Sequence, residues 1–210
     1  MGAVASRSIP SETMRIFLAG ASGVLGSRLV PLLVAAGHDV AGMTRSPAKA
    51  RLLAAAGAEP VVCDAFDPDG LTTAVTAFAP ELVMHQLTDL PDDPALLPEG
   101  RAANARIRRE GTTNLLAAAR KAGAARFIAQ SVAWTMEGEG QAAKEFLEQS
   151  VLAAGGVVLR YGQFYGPGTY YPDTLPAQPR IAVDTAADRT ARALELPTGV
   201  YEFVEDPAPA

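Results

Sequence analysis

The chain has 210 residues, 18 Lys and Arg against 23 Asp and Glu, a net charge of −5, and 49% hydrophobic residues. That length suits one domain with a full core, and the composition is that of a globular protein. The acidic balance excludes a general nucleic-acid binder, which needs clustered Lys and Arg to neutralise phosphates.

The opening MGAVASRSIPSET lacks an apolar signal core but carries the N-myristoylation pattern at Gly2 and Ser6. Residues 1–13 are read as a disordered leader, with the fold beginning at Met14. RIFLAG (15–20) is a short apolar run ending in glycine, a buried strand. GSRLVPLLVAAG (26–37) has helical apolar spacing and stops at Gly37; Pro31 should kink or loosen it. HDVAGMT (38–44) reads as a second strand. SPAKARLLAAAG (46–57) opens with Ser and Pro, suited to the N-cap and first turn, and ends at glycine. EPVVCD (59–64) is a strand, 69–79 a helix and ELVMHQL (81–87) a strand. A Pro- and Asp-rich loop covers 88–98, and a long helix 100–121 stops before Gly123. Within it RIRRE (106–110) is expected on a solvated face. ARFIAQS (125–131), a helix over 141–153 and GVVLRYG (156–162) follow. The tail changes character: 165–179 is Pro- and Gly-rich loop, then a helix over 184–196 and a strand over 199–206.

Strands alternating with helices of ten or more residues mean βαβ units. Right-handed crossovers make the fold a doubly wound, mostly parallel Rossmann-type α/β sheet. Residues 14–164 form the dinucleotide-binding domain, and 165–210 a reduced C-terminal substrate-side region, not an independent domain. The one cysteine, Cys63, allows no disulfide within the chain and points to a reducing, cytoplasmic setting. It is expected to be packing rather than a nucleophile. No His/Cys spacing suggests a metal, and no apolar run approaches the ~20 residues of a membrane span.

The strongest functional signal is FLAGASGVLGSRLV. Gly20 permits the turn off the strand, Gly23 lets a pyrophosphate approach the backbone, and Gly26 lets the helix pack on the sheet. The N–H groups across Ser22, Val24 and Leu25 then open a helix N-terminus that favours phosphate. At the end of the second strand GMTRS replaces the acidic residue that would bind a ribose 2′-OH. Arg45, with the Thr44 and Ser46 hydroxyls, suits a 2′-phosphate instead, so NADP is expected over NAD. Asp64 either accepts from the adenine amino group or caps its loop. Gln86, Leu87 and Thr88 are placed to line the cofactor, and His85 is read as a hydrogen-bonded core residue.

These stretches resemble the extended short-chain dehydrogenase/reductases, the NAD-dependent epimerase/dehydratase family. The G-x-x-G-x-x-G spacing carries the likeness, with LVMHQLTD, REGTTNLLAAARKAG, RFIAQS and VVLRYGQFYGPGT, from Met14 to about Thr169. The resemblance implies catalysis by a serine, a tyrosine and a lysine. Ser131 matches the serine that holds the substrate oxygen, and Lys144 the lysine, which also binds the nicotinamide ribose. The tyrosine position is Gly140, which cannot transfer a proton. Ser131 and Lys144 are 13 residues apart and only 41 residues follow Thr169, so both substrate-side segments are short for the family. A second subunit could complete such a cleft.

Tyr161, with Gly162, ends the sixth strand beside the expected nicotinamide site. It is a candidate substitute donor or cofactor contact, and otherwise packing. Tyr165 is read as structural, and Glu137 and Glu139 as surface carboxylates with a lesser claim. The expected function is an NADP-dependent oxidoreductase or epimerase acting on a small hydroxyl or carbonyl compound. The alternatives are a non-redox isomerase, cyclase or dehydratase, and a non-catalytic nicotinamide-binding regulatory module.

Overall fold

The computed structural model describes residues 13–206. The expected leader, apart from Thr13, and the Gly2/Ser6 pattern lie outside the described residues. Seven parallel strands form the central sheet. They are β1 (Arg15–Ala19), β2 (Asp39–Thr44), β3 (Glu59–Val62), β4 (Leu82–His85), β5 (Arg126–Val132), β6 (Val157–Tyr161) and β9 (Gly199–Phe203), in the order β3-β2-β1-β4-β5-β6-β9. The order reverses between β1 and β4, the switch point at which doubly wound sheets bind nucleotides. Two further strands, β7 (Gln163–Tyr165) and β8 (Arg180–Ala182), pair parallel in a separate ribbon at the two ends of the segment 165–179 read as loop.

Strand alternation divides the core into two layers. Ile16 and Leu18 of β1 face α1 (Gly26–Ala35) and α7 (Val183–Ala191), joined by Met84, Ile128 and Leu159. Phe17 and Ala19 face the other way, among Leu71 and Val75 of α3 (Pro68–Phe78) and Leu115 of α5 (Thr112–Ala122). Leu147 of α6 (Gly138–Ala153) extends this second layer. A fully buried Leu, Ile or Phe contributes about 1.5–3 kcal/mol, so these two layers anchor the sheet.

The local signals act as their chemistry requires. In α2 (Pro47–Ala55), Pro47 starts the helix and the Ser46 hydroxyl accepts from Lys49 N–H. Asp67 caps α3 through Gly70 N–H, 3.0 Å away. The helix α1 runs unbroken through Pro31, which is exposed, so the carbonyl freed by the missing N–H faces water. The long helix expected over 100–121 is α4 (Leu97–Arg106), a π turn at Ile107–Gly111 and α5. Helix α6 starts at Gly138 rather than 141, setting Lys144 nearly two turns in.

The C-terminal segment is built into this body. Strand β9 pairs with β6, and α7 covers α1. No described helix is long and apolar enough to cross a membrane.

Candidate nucleotide cleft and active site

The glycine turn lies between β1 and α1. Gly20 takes φ +89, and a Cβ there would stand 2.4 Å from the Gln86 carbonyl oxygen. A Cβ on Gly26 would stand 2.2 Å from the Gly20 oxygen, so the helix can approach the turn only with glycine at that position. Gly23 and Val24 are exposed and Leu25 is buried. The Gly23 N–H closes the turn on Gly20 O at 3.0 Å. The N–H groups of Ser22, Val24, Leu25 and Gly26 meet no acceptor among the described residues. A row of unspent donors at a helix N-terminus is a phosphate cradle, and this one fits a dinucleotide's diphosphate.

Around it the ends of β2, β3 and β4 converge. Ser22 and Thr44 share a hydrogen bond of 2.8 Å, and Thr44 accepts from Ser46 N–H. Arg45, half exposed, pairs with Asp89 at 2.9 Å. A cavity of about 350 Å³ is lined by Arg45, Val62, Cys63, Asp64, Asp67, Gly70 and Ala74. One Asp64 oxygen caps the loop through Phe66 N–H; the residue also borders that cavity, so the capping and adenine roles are compatible. Burial, then the Asp67 and Asp64 charges, raise the Cys63 thiol, which suits packing. A smaller cavity of about 190 Å³ touches Ser22 and Ser27 together with Lys49, a cation the sequence reading did not single out. Its signal was position: Lys49 stands four residues after Arg45, on the first turn of α2.

At the switch point the Gln86 side chain is buried, and neither of its amide atoms has a hydrogen-bond partner among the described residues. Leu87 O accepts from Gln130, and Thr88 is exposed beyond it. His85 is fully buried. Its Nδ1 accepts from Leu87 N–H, so Nε2 carries the proton and donates to Thr112 Oγ1 at 3.0 Å. Burial, then the Arg108 charge, push its pKa down to about 3.

Neither cavity reaches the expected catalytic residues. Ser131 lies on the α6 side of β5, 5% exposed, and donates to Glu148 Oε1 at 2.6 Å. Glu148 takes both forks of Arg160, at 2.9 and 2.6 Å. Burial pushes this carboxyl up. The Arg160 and Ser131 hydrogen bonds, with the Arg160 and Lys144 charges, outweigh that and hold it below the usual range. The expectation that Ser131 holds the substrate oxygen changes accordingly: its proton is directed at Glu148. Lys144 donates to Trp134 O at 2.9 Å, and burial lowers its pKa.

Tyr161 also differs from its reading as a substitute donor. It is 2% exposed, packed on Phe164 and Phe203. Thr190 spends its own proton on Ala186 O, so the Tyr161 hydroxyl donates to Thr190 at 2.7 Å. Burial raises its pKa far above neutrality, the wrong direction for an acid/base. Gly162 backs onto Arg180, where a Cβ would meet that backbone at 2.6 Å. The Tyr165 hydroxyl is held by Glu205, and Glu137 and Glu139 are exposed.

The solvated-face reading of RIRRE is corrected. Arg106 is exposed, pairs with Glu110 and lies over the Phe66 ring, but Arg108 is only 7% exposed and donates to the Met136 sulfur at 2.8 Å. The signal was spacing: 104, 108, 111, 115 and 118 fall on one buried stripe. Gly140 lies against Met136, whose Cε would be 3.1 Å from a Cβ there. Met136 thus occupies the space beside the position that the resemblance gives to tyrosine.

A family model described as NAD(P)H-binding matches residues 20–155. The chain belongs to that family. A 3-diazoavenalumate denitrifying reductase from a Streptomyces species is 40% identical over 186 residues, covering 75% of this chain and 59% of the relative. A 3-beta-hydroxysteroid dehydrogenase from Mycolicibacterium neoaurum is 31% identical over 121 residues, covering 58% of this chain and 32% of the relative. The chain therefore spans about three-fifths of the one relative's length and a third of the other's. Among solved structures, the UDP-glucose 4-epimerase of Thermus thermophilus with NAD superposes with a TM-score of 0.74 at 21% identity, covering 91% of this chain and 78% of that one. WbmG of Bordetella bronchiseptica with NAD gives 0.72 at 20%, covering 92% and 73%. The fold of the chain is the one these NAD-bound structures share.

Proposed function

We propose that the protein is an NADP-dependent oxidoreductase, acting as a reductase on a small carbonyl-like compound. The observation that carries this is the row of unspent N–H donors at the glycine turn, flanked by Arg45 and Lys49 with no carboxylate at the end of β2. The N–H groups of Ser22, Val24, Leu25 and Gly26 hold the diphosphate, and Gly23, without a side chain, leaves room for its approach. Arg45, Lys49, Thr44 and Ser46 take the 2′-phosphate, and Asp64 the adenine. The Arg45–Asp89 pair is exposed and worth at most about 1 kcal/mol, so a phosphate dianion readily displaces Asp89. Gln86, Leu87 and Thr88 border the path toward the nicotinamide; the Gln86 amide, buried beside the Tyr161 hydroxyl, would turn outward to bond the cofactor.

When bound, NADPH supplies a hydride. Lys144, fixed on the Trp134 carbonyl, presents an ammonium to the nicotinamide ribose and stabilises negative charge on the substrate. Ser131 acts through Glu148 as a positioning residue, holding α6 on β5 and thereby Lys144 in place. No tyrosine is assigned as the acid; water takes that part, which costs about 10²–10⁴-fold in rate. The diazo relative is named a reductase, which supports this direction of chemistry.

Calorimetric titration with NADPH and NADH tests the reading. NADPH should bind at least about tenfold more tightly, and Arg45→Ala should remove about 10- to 100-fold of that preference, the worth of a charge-assisted pair. Equal affinity for both nucleotides would overturn the assignment of Arg45. The packing of Met136 beside Gly140 favours a second reading, a nicotinamide-binding module without turnover. NADPH oxidation across a panel of carbonyl compounds separates the two.

A further inference from the structure

Beneath the loop 133–137 lies a cluster of charges of which the nucleotide reading uses only Lys144. Three cations, Arg108, Lys144 and Arg160, surround one buried carboxylate, Glu148. Arg160 consumes that carboxylate with both of its forks, and its remaining reach goes to the half-exposed Glu202 at 3.8 Å. Arg108 and Lys144 have no carboxylate within salt-bridge distance among the described residues.

Arg108 is the anomaly. A guanidinium carries five donors and needs an anion when desolvated. Its hydrogen bond to protein is a thioether, one of the weakest acceptors available. The stripe it shares with Asn104, Gly111 and Leu115 would be better served structurally by an apolar side chain of similar length. Holding a largely buried charge there without a counter-ion costs stability, and a ligand that neutralises it recovers that cost.

We propose that Arg108, with Lys144 beside it, anchors a monoanionic carboxylate of the substrate, and that Met136 covers the anchor until the substrate displaces it. The planar fork of Arg108 matches a carboxylate in two-point contact, which a thioether does not offer. Counting Glu148 and Glu202, the cluster keeps one net positive charge, which a monoanion neutralises and a phosphate dianion overshoots. Met136 is suited to yielding, because its flexible end also fills the space beside Gly140. The proposal rests on the oxidoreductase reading and gives that reading a substrate class: small carbonyl-like compounds that carry a carboxylate.

Trp134, the one tryptophan of the chain, supplies the test, because its carbonyl holds Lys144. Benzoate, its neutral isostere benzamide and inorganic phosphate would each be titrated while Trp134 emission is followed. Benzoate should give a saturable change that benzamide does not, with phosphate weaker. Arg108→Met should weaken benzoate at least about tenfold, and Met136→Ala should strengthen it by removing the competing sulfur. Thermal melting controls for folding: Arg108→Met should melt no lower than the parent, because an unpaired buried charge has been removed. An absent benzoate response, an equal response to benzamide, tighter binding of phosphate, or benzoate binding untouched by Arg108→Met would each overturn the proposal. NADPH titration of the unaltered protein, run alongside, reads the nucleotide assignment by itself. NADPH binding without benzoate binding overturns the anchor alone, and benzoate binding without NADPH binding overturns the nucleotide reading alone.

Discussion

His85 shows how one residue's packing becomes a property of the molecule. Its ring is enclosed, its tautomer is fixed by Leu87 N–H and Thr112, and the Arg108 charge faces it. Folding lowers its pKa from 6.5 to about 3. Below the unfolded value the unfolded chain binds a proton that the native state refuses. The stability His85 contributes is therefore complete above pH ~6.5 and is lost progressively as pH falls toward ~3. At up to 1.36 kcal/mol per pH unit, about 2 kcal/mol should disappear between pH 6.5 and 5. Urea unfolding at both pH values would read this loss, and His85→Asn should flatten it. A slope unchanged in the variant would show that other groups govern acid sensitivity. A histidine inside an apolar strand was legible as core from sequence. Its coupling to Arg108 was not, because it needs the helix α4, the π turn and α5 folded against β4.

At the scale of elements, the pair between α6 and β6 carries the most electrostatic weight. Glu148 and Arg160 are 12 residues apart in the chain and joined by two short bonds. Glu148→Gln should leave Arg160 without its main anion. Breaking a buried pair costs about 3–5 kcal/mol. Arg160 is a third exposed and keeps Glu202 nearby, so about 3 kcal/mol is expected, a fall of about 6–12 °C in Tm at this chain length. Glu202→Gln, acting on an exposed contact, should cost under about 1 kcal/mol. Equal effects from the two variants would contradict this partition. Elements were legible where local chemistry is strong: Ser46-Pro47 starts α2, Gly123 stops α5, and the apolar runs of β1, β4 and β5 form the sheet centre. Strands β7 and β8 were not, because three-residue strands in Pro- and Gly-rich chain are fixed by partners, not by pattern. Within the site, the glycine turn was legible because each glycine answers a local steric demand. The inward turn of Ser131, Tyr161 and Arg108 was not, because the neighbours that decide it come from elsewhere in the chain.

The whole molecule joins these two halves through one sheet. The nucleotide cradle sits over β1 and β2, the charge cluster over β5 and β6, and β4 lies between them. The tail cannot be a loose appendage, since β9 extends the same sheet and Arg126 of β5 donates to the carbonyls of Leu194 and Leu196. Such a body should unfold as a unit. A ligand anchored chiefly at the β1–β2 end, with Lys144 meeting only its nicotinamide ribose, should then stabilise the far end equally. NADPH at one hundred times its Kd should add about 2.7 kcal/mol, raising Tm by about 5–11 °C. That rise should be identical whether melting is followed by far-ultraviolet dichroism, which reports the helices, or by Trp134 emission, which reports the loop above Lys144. A Trp134 transition that stays in place while the dichroism transition moves would mean that the substrate end melts on its own. In that case binding energy gained at the glycine turn could not organise Lys144 and Arg108, and the two sites would have to be treated as energetically separate.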